Sequence, residues 1–101
     1  MNDSWKNISE LIGYSEGGIL SKEMVKSENG GVTLFSMAGN TEISEHTSTK
    51  EGLVYIIEGE GVFSLEGKDI AMRPGVSIFL KKSVRHSIKA KENTSFLLFL
   101  I

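Results

Sequence analysis

A chain of 101 residues is long enough for one hydrophobic core and too short for a catalytic domain with a separate binding domain beside it. Its 40% hydrophobic and 24% charged residues are an ordinary globular composition, which sets aside the disordered and collagen-like classes. Eleven Lys and Arg against thirteen Asp and Glu leave a formal charge of -2, so no positive field favours a polyanion and nucleic acid is not expected as a partner. The lack of cysteine removes disulfides, thiolate metal sites and thiol nucleophiles. The N-terminus has no basic region leading into an apolar one, and no apolar run approaches the length of a bilayer span. A cytoplasmic protein with no membrane partner is expected.

The whole chain, 1–101, reads as one domain without repeats, low-complexity stretches or linkers. Between Asp3 and Ile12 the apolar residues Trp5, Ile8, Leu11 and Ile12 recur at helical spacing, with Asp3 or Ser4 as cap and Gly13 as stop. This predicts a short helical segment within residues 1–18. After Gly17-Gly18 the pattern becomes short runs of Val, Ile, Leu and Phe separated by glycine turns. Strands are predicted over Ile19–Val25, Val32–Met37, Thr41–Thr47, Leu53–Glu58, Val62–Leu65, Asp69–Met72, Val76–Leu80, His86–Ala90 and Ser95–Ile101. Many short strands after one helix imply an all-β sandwich or barrel.

Leu53–Ile57 and Phe96–Ile101 are apolar on both faces, whereas a sheet with one wet face would alternate. One face of each can fill the barrel, and the other needs a cover. A second copy of the chain, forming a homodimer, is the simplest; the helix around Trp5, Ile8 and Leu11 is the alternative.

Chemistry has few places to sit. The glycine clusters lack phosphate-loop spacing and lie between strands, and no Gly-x-Ser-x-Gly elbow occurs. With only Asp3 and Asp69 as aspartates, a Ser-His-Asp hydrolase is set aside. Lys81, Lys82 and Arg85 form a basic cluster that could draw in an anion, although such a run is ordinarily a solvated face. Glu58 and Glu60 flank a glycine turn, and Glu42 and Glu45 are expected on opposite faces of a strand, so neither is an acid/base pair. The two histidines, His46 and His86, remain. Imidazole can ligate a metal, exchange a proton or hydrogen-bond an organic ligand, and a lone one is more often structural.

The segment 39–90 resembles the two motifs of the cupin superfamily. The first is a glycine, five residues, His-x-His, three or four residues, glutamate, six residues and glycine. Counting back from Gly59 puts Gly52 in the glutamate slot, Ser48 and His46 in the histidine slots and Asn40 in the opening glycine slot. The second is a glycine, five residues, Pro-x-Gly, two residues, histidine, three residues and asparagine. From Gly75 it puts Lys81 and Ser83 in the Pro and Gly slots, His86 on the histidine and Ala90 on the asparagine.

The resemblance implies a double-stranded β-helix, the cupin jelly-roll barrel, with a short N-terminal helical segment. It also implies a pocket at the barrel mouth, for which we expect His46, Ser48, Gly52, Val54, Ile56, Phe79, His86 and Ile88, with Val84 nearby. Of the four metal-ligand slots, only those at His46 and His86 keep a histidine. Two neutral ligands fall below the three protein ligands of a usual catalytic site, so the implied cofactor is at most one divalent metal, Zn, Fe, Mn or Ni, at low affinity. Glu45 should point away, Glu51 could swing toward the empty slot, and Gly52 should enlarge the space. The expected function is binding of a small polar or anionic molecule around His46 and His86. A metal-dependent oxygenase or isomerase, and a non-catalytic dimerisation or protein-interaction barrel, stand as alternatives. Cupin function is too diverse for the fold to decide.

Overall fold

The computed structural model describes residues 4–101. Asp3, one of the two candidate caps, lies outside them. The helix is a single turn, α1 (Ile8–Leu11), later than expected because Asn7 takes the cap instead of Ser4. The Asn7 Oδ1 accepts from the Ser9 amide at 3.0 Å and the Ser9 hydroxyl at 2.7 Å.

Nine strands follow: β1 (Ile19–Lys26), β2 (Gly31–Met37), β3 (Glu42–His46), β4 (Gly52–Glu58), β5 (Gly61–Leu65), β6 (Lys68–Met72), β7 (Ser77–Leu80), β8 (His86–Ala90) and β9 (Thr94–Leu100). Each begins and ends within one residue of its expected span. They form two antiparallel sheets, of order β1-β2-β9-β4-β7 and β3-β8-β5-β6. The sequence neighbours β3 and β4 lie in different sheets, as do β6 and β7 and also β8 and β9, so the chain winds between layers as a jelly roll. No helix among the described residues is long and apolar enough to cross a membrane.

Period-2 alternation builds the core between the sheets. Val54 and Ile56 from β4, Phe63 from β5, Ile78 and Leu80 from β7, Ile88 from β8 and Phe96 from β9 are buried together with Met37 and Met72. Phe35 and Phe96, register partners across β2 and β9, stack with centroids 5.0 Å apart.

The outer face of the five-stranded sheet is apolar as well. Pairing aligns Val25, Val32, Phe99, Leu53 and Phe79 into a row crossing all five strands, with Leu34, Leu97 and Tyr55 in the next row. The N-terminal segment covers only part of it. Trp5 and Ile8 border a groove with Met24, Val25, Val32 and Leu97, while Tyr55 and Phe79 stay 41% and 49% exposed. The Tyr14 hydroxyl, donating to Glu58 Oε2 at 2.6 Å, pins the segment to β4. Burial, then the Glu58 bond, push the Tyr14 phenol up to about 12 against a smaller opposing effect of the Ser95 hydroxyl, so the strap holds in its donating form across the neutral range.

Left-handed backbone marks the motif slots. All four glycine slots have positive φ: Asn40 67°, Gly59 105°, Gly75 91° and Ser83 64°. Two of these are therefore filled by residues with a Cβ, which crowds in that region at a cost of roughly 1–2 kcal/mol. Asn tolerates it through its short polar side chain, and Ser83 has no such tendency. Ser83→Gly keeps the amide that donates to the Ser48 carbonyl at 2.8 Å and should stabilise the fold by about 1 kcal/mol, read as a higher urea midpoint at unchanged slope.

Candidate functional site

His46 closes β3 and His86 opens β8, and the two are register partners across that pair, their ring centroids 4.1 Å apart. Register alone does not bring both rings inward, because Ile43 also faces in and lies three residues before His46. A bulge between Ile43 and His46 supplies the missing half-period. It also corrects the expected placement of Glu42 and Glu45, which both border a shallow groove on the outer face of the four-stranded sheet instead of lying on opposite faces.

Each imidazole is held by a backbone carbonyl two residues earlier. The His46 Nδ1 lies 2.8 Å from the Ser44 oxygen and the His86 Nδ1 3.1 Å from the Val84 oxygen. His86 is buried and lies parallel to Phe63, the planes 3° apart and the centroids at 5.8 Å. Burial is the largest effect on His86 and lowers its pKa below the usual 6.5; the neighbouring His46 lowers it further, and the Val84 carbonyl opposes both. A group that protonates more readily unfolded than folded withdraws stability as acid is added. Stability is therefore complete above the unfolded value near 6.5 and declines as pH falls from there toward the lower folded value. Denaturation midpoints taken from about pH 8 down to about pH 5 should show that decline, and His86→Phe should flatten it.

Between the sheets, the two rings open onto a cavity of about 110 Å³. Of the residues expected around it, His46, Val54, His86 and Ile88 line it. Phe79 does not: it points to the outer face, and its neighbour Leu80 lines the cavity in its place. Ser48 falls past the end of β3 in the following turn, where its hydroxyl accepts from the Lys50 amide at 3.2 Å. Ile56 is buried in the core without reaching the cavity. Val84 packs against that core.

Gly52 does not enlarge the space. A Cβ there would stand 3.0 Å from the Phe99 oxygen, 3.3 Å from Leu100 Cδ2 and 3.5 Å from Leu98 Cδ1, so strand β9 has filled the position. The cavity lining that sequence reasoning missed is Phe35, Ile43, Phe63, Leu80, Phe96 and Leu98. Phe63 carried a signal in the alternation of its strand with Leu65, whereas Phe96 and Leu98 lie in a strand that is apolar on both faces. Arg85 pairs with Glu66 at 3.6 Å, and neither it nor Lys81 or Lys82 lines the cavity.

The donor set decides whether a metal fits. Among the described residues, no group of three or more His, Cys, Asp and Glu side chains is placed to hold an ion. The cavity offers two imidazole nitrogens and otherwise hydrocarbon, with neither Glu45 nor Glu51 in its lining. That set does not fit a resident metal.

Two antiparallel sheets wound on each other around an inward histidine pair define a double-stranded β-helix protein. A family model described as a cupin domain matches residues 33–101, and the chain belongs to the cupin family. A cupin superfamily protein from Desulfitobacterium hafniense superposes with a TM-score of 0.90 at 22% identity, over 100% of this chain and 94% of that one, a likeness of fold. A cupin 2 conserved barrel domain protein from Leptotrichia buccalis gives a TM-score of 0.89 at 31% identity, over 95% of this chain and 47% of that one. Acireductone dioxygenase from Bacillus licheniformis is 29% identical over 93 residues, covering 87% of this chain and 49% of that protein, so the chain spans about half of that relative's length.

Proposed function

We propose that this chain is a small-molecule-binding cupin whose ligand enters the cavity at His46 and His86. The observation that carries the reading is that the only two histidines of the chain meet across one strand pair and supply the polar side chains of an otherwise hydrocarbon cavity. An apolar cavity with a few convergent polar groups is the usual character of a ligand site. A dioxygenase activity of the kind named for the Bacillus relative would call on a metal, and two imidazoles without a carboxylate supply too few ligands for one.

A thermal-shift screen of metabolites tests the reading, with wild type compared against His46→Ala and His86→Ala. Ligands should raise the wild-type midpoint and lose about five-fold or more in affinity in at least one variant, the worth of a hydrogen bond to the buried His86 or to the exposed His46. Binding that is unchanged in both variants would sink the proposal. Plasma mass spectrometry after incubation with zinc, iron, manganese or nickel and gel filtration should find well under one equivalent of metal.

A further inference from the structure

We propose that the cavity selects an uncharged hydrogen-bond donor, an alcohol or N–H compound on a small apolar body, and binds it without a metal. This deepens the ligand-binding reading and rests on it. The argument starts from the carbonyls. A carbonyl oxygen can only accept, so the Ser44 and Val84 oxygens fix the hydrogen of each neutral imidazole on Nδ1. The Nε2 of each ring is then left as an acceptor, within the buried ring of His86 and at the exposed ring of His46. Two such acceptors stand in adjacent rings, 4.1 Å apart between centroids.

The rest of the lining excludes the other ligand classes. All eight remaining lining residues are hydrocarbon side chains, with no lysine or arginine among them. A carboxylate or phosphate would give up part of its hydration and find neither lysine nor arginine in return, only imidazoles that are neutral at about pH 8. A ligand with acceptors alone, such as a ketone, would face two lone pairs with one of its own. A hydroxyl or N–H satisfies one Nε2 directly, and its hydrocarbon body takes the place of water against Phe63, Phe96 and Leu98. A volume of about 110 Å³ suits roughly the bulk of one small ring, given that about 150 Å³ holds benzene in an engineered cavity.

Cyclopentanol, cyclopentanone and cyclopentanecarboxylate separate these classes at nearly constant shape. Each is titrated into the wild-type protein, with and without EDTA, while the imidazole nitrogens are followed in long-range proton–nitrogen spectra at about pH 8. Both rings should start as the Nδ1–H tautomer, and cyclopentanol should move an Nε2 signal. It should bind about five-fold more tightly than the ketone, the worth of one ordinary hydrogen bond, with the carboxylate weakest and EDTA without effect. A ketone or carboxylate that binds as tightly, an Nε2–H tautomer, or binding abolished by EDTA overturns the inference and leaves the pocket reading standing. If none of the three binds, the inference falls, and a blank metabolite screen beside it takes the pocket reading down too.

Discussion

Gly59→Ala should leave little folded protein. Gly59 joins β4 to β5 at φ 105°, outside the region an L-residue readily adopts. A Cβ there would fall on the Asn93 oxygen and on Thr94. The chain at that point cannot retreat, because Thr94 has no exposed surface and its hydroxyl both accepts from the Glu60 amide at 3.1 Å and reaches the Glu92 oxygen at 2.7 Å. Strain and collision together should cost at least about 3 kcal/mol, a large share of the stability of a domain this size. Gly67→Ala is the matched control. Gly67 also has positive φ, 82°, but nothing stands within 4 Å of its would-be Cβ, so only the backbone term of about 1 kcal/mol should appear. Equal losses in urea denaturation of the two variants would show that the contact with β9 is without weight.

Phe63→Ala carries the second large effect, about 3–5 kcal/mol, from lost burial and the void left behind. Phe63 is wholly buried in the core, and its ring supports His86 on one face of the cavity. The void would join the existing cavity, so the variant should also take bulkier ligands than wild type. A loss below about 1 kcal/mol would mean that the core does not close around this ring. A stable variant with unaltered ligand size limits would remove Phe63 from the pocket wall.

The strands were legible because alternation and glycine turns are local signals. Nothing comparable marks the bulge at Ser44 and Glu45, whose side chains are those of any exposed strand, so the faces of Glu42 and Glu45 were misjudged. Phe79 was misread because β7 offers apolar residues at both parities, and only the pairing of Gly52 with Leu80 and Leu53 with Phe79 decides which set turns inward. The meeting of His46 and His86 was anticipated through the cupin likeness alone, since their separation in sequence carries no geometry of its own. The closed state of Gly52 depends on Leu98 and Leu100, which arrive from the far end of the chain. A reading that treats neighbours in sequence first has no means of placing them.

A glutamate at position 52 would press on the Phe99 oxygen and on Leu100, with Leu98, part of the cavity wall, in contact beside them. A carboxylate ligand introduced there therefore means shifting β9 against the present cavity, so a metal held by it and the cavity's ligand would compete for the same volume.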